Sequence, residues 1–302
     1  MEVSRTAPRR VAFDVAEFDE RPYEPDDLDV SRETSSRLPR PAAPRVFVIA
    51  NQKGGVGKTT TAVNLAVGLA QGGLRTLVID LDPQGNASTA LGIDHSEGTP
   101  GTYEVLNGRP MADVVQRSPE AGQLLVLPAT IDLAGAEITL VSEFARESKL
   151  LHALTVYLRD HPTDYVFIDC PPSLGLLTVN ALVAAREILI PIQCEYYALE
   201  GVSQLLRTID LVKRSMNNQL TLTTVILTMF DGRTRLATEV ASQVREHFPR
   251  ETLNTIIPRS VRVSEAPSYG QSVLTYHAAS AGAEAYLAAA EELAVRGAAP
   301  IH

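Results

Sequence analysis

The chain is 302 residues long, 45% hydrophobic and 21% charged, the balance of a soluble globular protein. Its net charge of −9 argues against a uniformly basic nucleic-acid coat, though not against a local arginine patch. No apolar run approaches the ~20 residues of a membrane span, the N-terminus lacks an apolar export signal, and Cys170 and Cys194 make no CxxC or metal spacing, which fits a reducing cytosol.

Residues 1–44 are rich in Pro, Arg, Asp and Glu and have no apolar periodicity, so a mostly disordered tail is expected. Within it, 11–18 is a candidate partner-binding segment. From residue 45 to 302 the pattern alternates strand and helix. Strands are expected at 46–50, 76–80, 124–128, 165–169, 187–191, 223–228 and 253–257, and helices at 59–71, 131–144, 149–160, 174–185, 201–216, 237–247 and 281–296. The strands are short continuous apolar runs, as in a parallel sheet buried on both faces. Repeated βαβ units predict one α/β domain, a doubly wound, mostly parallel sheet flanked by helices, with ligands at the carboxyl ends of the strands.

The first such end reads Lys53-Gly54-Gly55-Val56-Gly57-Lys58-Thr59-Thr60, between an apolar strand and an amphipathic helix. This is the P-loop context: glycines let backbone N–H groups curl around phosphate oxygens, and the helix N-terminus adds partial positive charge. Lys58 is placed for the β- and γ-phosphates and Thr59 for Mg²⁺. The opening glycine position holds Gln52, and Lys53 is a second cation that an ordinary P-loop does not need. The chain has four lysines, and two of them fall in this octapeptide.

The second strand ends in Asp80-Leu81-Asp82-Pro83-Gln84-Gly85, two carboxylates entering a turn. Either could orient water toward a γ-phosphate or simply serve the turn. The fourth expected strand ends Phe167-Ile168-Asp169-Cys170-Pro171-Pro172, a Walker B pattern in which Asp169 holds Mg²⁺ directly or through water. The two prolines stiffen a candidate switch, and Cys170 reads as a small buried residue rather than a nucleophile. Arg233, Arg235, Arg259 and Arg262 follow strands in loops, where such groups contact phosphates or are merely solvated.

Taken together, KGGVGKTTT, DLDPQGNAST, FIDCPPSLG, PIQCEYYALEG, LTMFDGRT and IPRSVRVSEAPSYG resemble the ParA/Soj chromosome-partitioning ATPases of the deviant Walker A class. The resemblance covers residues 45 to 296 and implies a P-loop NTPase fold with ATP and Mg²⁺ as cofactors. It implies that Lys53 crosses a nucleotide-sandwich homodimer to the partner's phosphates. Lys58, Thr59 and Thr60 match phosphate and Mg²⁺ contacts, Asp82 the aspartate that positions water, Asp169 the Walker B acid, and Pro258 the adenine cradle. Arg233 and Arg262 match arginines that bind DNA without sequence preference once the dimer forms. The implied protein is a weak ATPase, cytoplasmic and nucleoid-associated, released from DNA when a ParB-type partner stimulates hydrolysis. A MinD-like membrane ATPase is the alternative within the class, but the C-terminus is small-residue-rich and acidic rather than a Lys-rich amphipathic helix. A nucleotide-dependent scaffold or repressor with little hydrolysis also stays open.

Overall fold

Runs of Val, Ile, Leu and Phe become strands because both of their alternating faces find apolar cover. The structure is a computed structural model that describes residues 37–196 and 198–299. Among these, eight strands form one sheet: β1 (Arg45–Ile49), β2 (Thr76–Asp80), β3 (Gln116–Arg117), β4 (Leu124–Leu127), β5 (Tyr165–Asp169), β6 (Glu187–Gln193), β7 (Thr221–Phe230) and β8 (Thr252–Pro258). The order is β3-β4-β2-β5-β1-β6-β7-β8, and every pair is parallel except β3 with β4. The helices are α1 (Lys58–Gln71), α2 (Asn86–Ala90), α3 (Thr102–Leu106), α4 (Ala136–Thr139), α5 (Lys149–Asp160), α6 (Leu176–Ala184), α7 (Ala198–Ser215), α8 (Arg235–His247), α9 (Val261–Glu265), α10 (Val273–Tyr276) and α11 (Ala281–Arg296).

Alternation along each strand splits the core in two. Phe47, Ile49 and Phe167 pack with Leu65 and Leu69 of α1 and Tyr286 and Leu293 of α11. Val48, Leu77, Ile168 and Ile190 pack with Leu154, Leu177, Leu205 and Val244 of α5 to α8. Helices α1 and α11 approach closely because Gly68 carries no side chain: a Cβ there would lie 2.9 Å from that of Ala290.

The α/β, doubly wound expectation holds, with differences in detail. The continuous helix expected over 131–144 is a 3₁₀ turn (Ile131–Gly135), the single-turn α4 and a second 3₁₀ turn (Leu140–Ser142). Leu133, Ala136 and Leu140 are buried, but Ile138, Val141 and Phe144 face solvent, so no single apolar stripe holds a long helix. Gly135 and the β-branched Ile138, Thr139 and Val141 lower its propensity further. The edge strand β3 is only two polar residues long and carried no apolar signal. Of the expected tail, 1–36, including the 11–18 segment, lies outside the described residues. Residues 37–44 run along the body, where the Leu38 N–H donates to Gly72 O at 3.0 Å and the Ala299 N–H to Arg40 O at 3.2 Å.

Below the strands' amino ends, buried Asp164 accepts from Arg75 at 2.6 Å (Nη2 to Oδ1) and from the Arg75 backbone N–H at 2.8 Å. Burial alone would push Asp164 up, but these bonds outweigh it and hold the carboxyl below its ordinary range. A carboxylate with a depressed folded pKa stabilises above its unfolded pKa of about 4, and that stability is lost as pH falls through the folded value. Asp164→Asn is expected to cost about 1–3 kcal/mol at pH 7. Urea unfolding should show the gap from wild type closing as pH drops below about 4.

Candidate nucleotide site

The sheet register brings three loops to one level. Asp169 on β5 pairs with Ile49 on β1 and with Asp80 on β2. The loops that leave β1, β2 and β5 therefore start side by side at the carboxyl edge, where α/β folds bind ligands. From β1 the chain turns through Gly55 (φ 73°) and Gly57 (φ 87°), left-handed conformations that favour glycine, and enters α1 at Lys58. Thr228 at the end of β7 donates its hydroxyl to Val56 O at 2.9 Å and pins the loop from the other side. Val56 itself is buried.

A cavity of about 580 Å³ opens over this loop, lined by Gly54, Gly55, Gly57, Lys58, Thr59 and Thr60. Asp82, Gln84 and Asn86 wall it from the β2 loop, Pro172 from the β5 loop and Met229 from the end of β7. Lys58 is almost wholly buried, so its ammonium is presented within the site rather than to bulk water. A smaller hollow of about 80 Å³ shares Gly57, Thr60 and Met229 with the first and is closed by Ile257, Pro258 and Ser260. The two spaces adjoin, with Pro258 in the second. A larger apolar hollow of about 640 Å³, between α3 and α5, contains none of these residues.

The two acids sit in different environments. Asp80 is fully buried, and its oxygens accept from Ser88 N–H (2.8 Å), Ser88 Oγ–H (2.7 Å) and the Asp82 N–H (3.2 Å). It anchors the turn and the start of α2. Asp82 is half-buried at the cavity wall and accepts from the Gln84 N–H at 3.0 Å. Asp169 is fully buried, and neither carboxylate oxygen makes a hydrogen bond of good geometry, although the Thr59 hydroxyl and the Lys58 ammonium are near enough to favour its charged form. Burial and the neighbouring Asp80 carboxylate push Asp169 up to about 8, and burial pushes Asp80 up to about 6. A buried carboxylate without a well-made hydrogen bond is costly, and a divalent cation relieves that cost directly or through its water. Among the described residues no group of three or more His, Cys, Asp or Glu could hold such an ion alone. Oxygens of a bound phosphate would complete its shell, as Mg²⁺ sites ordinarily require. Cys170 is buried beside this centre, and burial pushes its thiol well above the usual range.

Lys53 is not among the residues lining the cavity, although its neighbour Gly54 is. Its Nζ lies 3.2 Å from Glu195 Oε2, in the loop after β6. Arg233 lies in the loop after β7, whereas Arg262, expected in a loop, lies in the short helix α9; the two segments adjoin because β7 and β8 end together: Phe230 pairs with Pro258, and the Arg259 N–H donates to Phe230 O at 2.9 Å. Arg233 forks onto Asp231 (2.8 Å to each oxygen) and Arg262 reaches Glu265 at 3.0 Å. Sequence reasoning missed Gln84, Asn86 and Met229 as cavity residues. Met229 takes φ 51° at a strand end, unusual for a non-glycine, and nothing in its identity signals that.

A parallel sheet whose first strand runs through a glycine loop into a helix, with a Walker B carboxylate at the end of the adjacent strand, is the fold of P-loop nucleoside triphosphatases. Residues 44–222 match the AAA domain family model. The chain is 51% identical over 253 residues to the chromosome partitioning protein ParA of Myxococcus xanthus, covering 83% of this chain and 88% of the relative. It is 48% identical over 254 residues to the sporulation initiation inhibitor protein Soj of Bacillus subtilis, covering 84% of this chain and 99% of that one. A crystal structure described as cobyrinic acid a,c-diamide synthase from Mycobacterium smegmatis, with bound ADP and magnesium, is 39% identical with a TM-score of 0.71. It covers 83% of this chain and 94% of its own. The chain belongs to the ParA/Soj family of chromosome-partitioning ATPases.

Proposed function

We propose that this chain is a DNA-segregation ATPase whose ATP-bound homodimer holds DNA without sequence preference and lets go when a ParB-type partner stimulates its slow hydrolysis. The observation that carries the reading is the cavity, with P-loop glycines, Lys58 and Thr59 on one wall and Asp82 on another, and the buried Asp169 lying behind that lining at the sheet edge. The loop N–H groups and Lys58 hold the phosphates of ATP, Thr59 and Asp169 hold Mg²⁺, and Pro258 borders the base. When bound, Mg²⁺ neutralises charge on the phosphate oxygens. Thr60 lines both spaces and supports the phosphate contacts from the first turn of α1. Asp82 orients the attacking water, and its bond from the Gln84 N–H fixes the carboxylate for that task. The protein acts on the nucleoid in the cytoplasm. Among the described residues, no helix is long and apolar enough to cross a membrane.

The family resemblance reads Lys53 as meeting phosphates across the dimer, and its absence from the lining of its own cavity supports that reading. Lys53→Ala is expected to retain ATP binding through Lys58 but to lose ATP-dependent dimerisation and hydrolysis. Light scattering with and without ATP, read beside phosphate release titrated with DNA and with the ParB-type partner, tests the whole reading. An ATP-bound dimer of normal size in this variant would refute the cross-protomer role. Absence of any stimulation by DNA and partner together in the wild type would refute the segregation cycle.

A further inference from the structure

Glu195 stands where three strand ends meet, and its two oxygens are divided between two jobs. Oε2 takes the Lys53 ammonium at 3.2 Å. Oε1 takes Arg259 Nη2, also at 3.2 Å, and the Gln193 amide. Lys53 belongs to the P-loop after β1, Glu195 to the loop after β6, and Arg259 follows Pro258 at the base-side hollow after β8. One carboxylate therefore links the lysine of the phosphate loop to the arginine beside the base. All three charged side chains are partly exposed, with 41% exposure at Lys53, 43% at Glu195 and 56% at Arg259. The pairs are thus weak, screened and easily exchanged.

We propose that Glu195 is a positioning residue for Lys53: it holds the lysine against its own protomer and must release it before the lysine can reach a partner's phosphates. This rests on the reading above that Lys53 acts across the dimer. Release leaves no stranded charge, because Oε1 keeps Arg259 and Gln193 when Oε2 gives up Lys53. The hold sets the protein concentration at which ATP assembles the dimer. It also couples that threshold to the base side, since a nucleotide that draws Arg259 away concentrates the Glu195 charge on Lys53.

Glu195→Gln isolates the lysine side of the contact. The amide can still offer its carbonyl oxygen to Arg259 while turning an NH₂ group toward Lys53, which removes the attraction. Each lost exposed pair shifts an equilibrium by about threefold, and a dimer loses two, so the assembly threshold at saturating ATP is expected to fall by roughly tenfold. Analytical ultracentrifugation over a protein dilution series reads it. The gap between E195Q and wild type should close as salt is raised toward 1 M, where the screening length is about 3 Å. Arg259→Ala should not lower the threshold, and Lys53→Ala combined with E195Q should show no gain over Lys53→Ala alone. An unchanged or higher threshold in E195Q overturns the proposal. So does a similar fall in Arg259→Ala, which would assign the effect to a loosened base loop. A normal ATP-bound dimer in Lys53→Ala would instead sink the cross-protomer reading, and with it the basis of the hold.

Discussion

Asp82→Ala should stop ATP turnover while the nucleotide stays bound, and Lys58→Ala should lose the nucleotide itself. The two residues line one cavity, yet the proposed function has them act on different atoms. Lys58 is a nearly buried ammonium at the first position of α1, where the phosphate charge must be met. A charge-assisted bond of this kind contributes about 1.5–3 kcal/mol, so Lys58→Ala should weaken ATP binding by roughly ten- to hundredfold or more. Asp82 is an anion at the wall and gains nothing by touching a phosphate. Its proposed service is to a water, and removing such a group costs about 10²–10⁴ in rate. Equilibrium binding of a fluorescent ATP analogue, beside single-turnover phosphate release, separates the two. Asp82→Ala should further accumulate an ATP-bound, DNA-bound dimer, because assembly proceeds and the exit step does not. Wild-type hydrolysis in Asp82→Ala would move the water-positioning role elsewhere. Unimpaired ATP binding in Lys58→Ala would contradict the cavity's assignment as the phosphate site.

The choice between Asp80 and Asp82 shows what the sequence holds and what it withholds. Both carboxylates leave the same strand two residues apart, and their spacing alone does not separate a turn role from a catalytic one. The fold separates them by burial: Asp80 is sealed under α2 with its oxygens spent on Ser88 and Asp82, while Asp82 reaches the cavity. The parallel strands were legible because each is an apolar run covered on both faces, and the P-loop was legible because glycine and lysine spacing is local information. The pairing of Asp80 with Asp169 is not local. It depends on β5 inserting between β2 and β1, a crossover that no window of sequence contains. The broken 131–144 segment misled for a related reason, since its apolar residues alternate between core and solvent and only the packed neighbours reveal which are which. Met229 and Glu195 carry no motif of their own; each gains its place from strands that end beside the P-loop.

The proposed DNA surface is where the net charge of −9 makes a quantitative test most telling. Arg233 and Arg262 are twenty-nine positions apart in sequence, and the parallel pairing of β7 with β8 puts the loop after β7 beside the segment after β8 that carries α9. Each arginine already has an acid on its own loop or helix. Arg233 is 88% exposed, and its guanidinium holds the Asp231 carboxyl down at about 2. Arg262 shares Glu265 with the Tyr276 hydroxyl, which donates to the same oxygen at 3.4 Å. These pairs are exposed and contribute little to stability, so a DNA phosphate can replace the acid without disturbing the fold. The N-terminus of the 13-residue α8, capped by Thr234, adds its partial positive charge next to Arg233. If each arginine meets one phosphate, a dimer makes two contacts of each type. Arg233→Ala or Arg262→Ala should then shallow the slope of log affinity against log salt by about 1.8, at about 0.9 per contact. At 0.1 M salt that is a loss of about 60-fold for either change and about 4,000-fold for both together, shrinking toward zero near 1 M. The loss should be the same for unrelated DNA sequences, because phosphate contacts carry no sequence information. Fluorescence anisotropy with ATP-bound protein at several salt concentrations measures slope and affinity at once. An unchanged slope in the double variant would remove this surface from DNA binding and leave the arginines before residue 45 to be tested next by truncation.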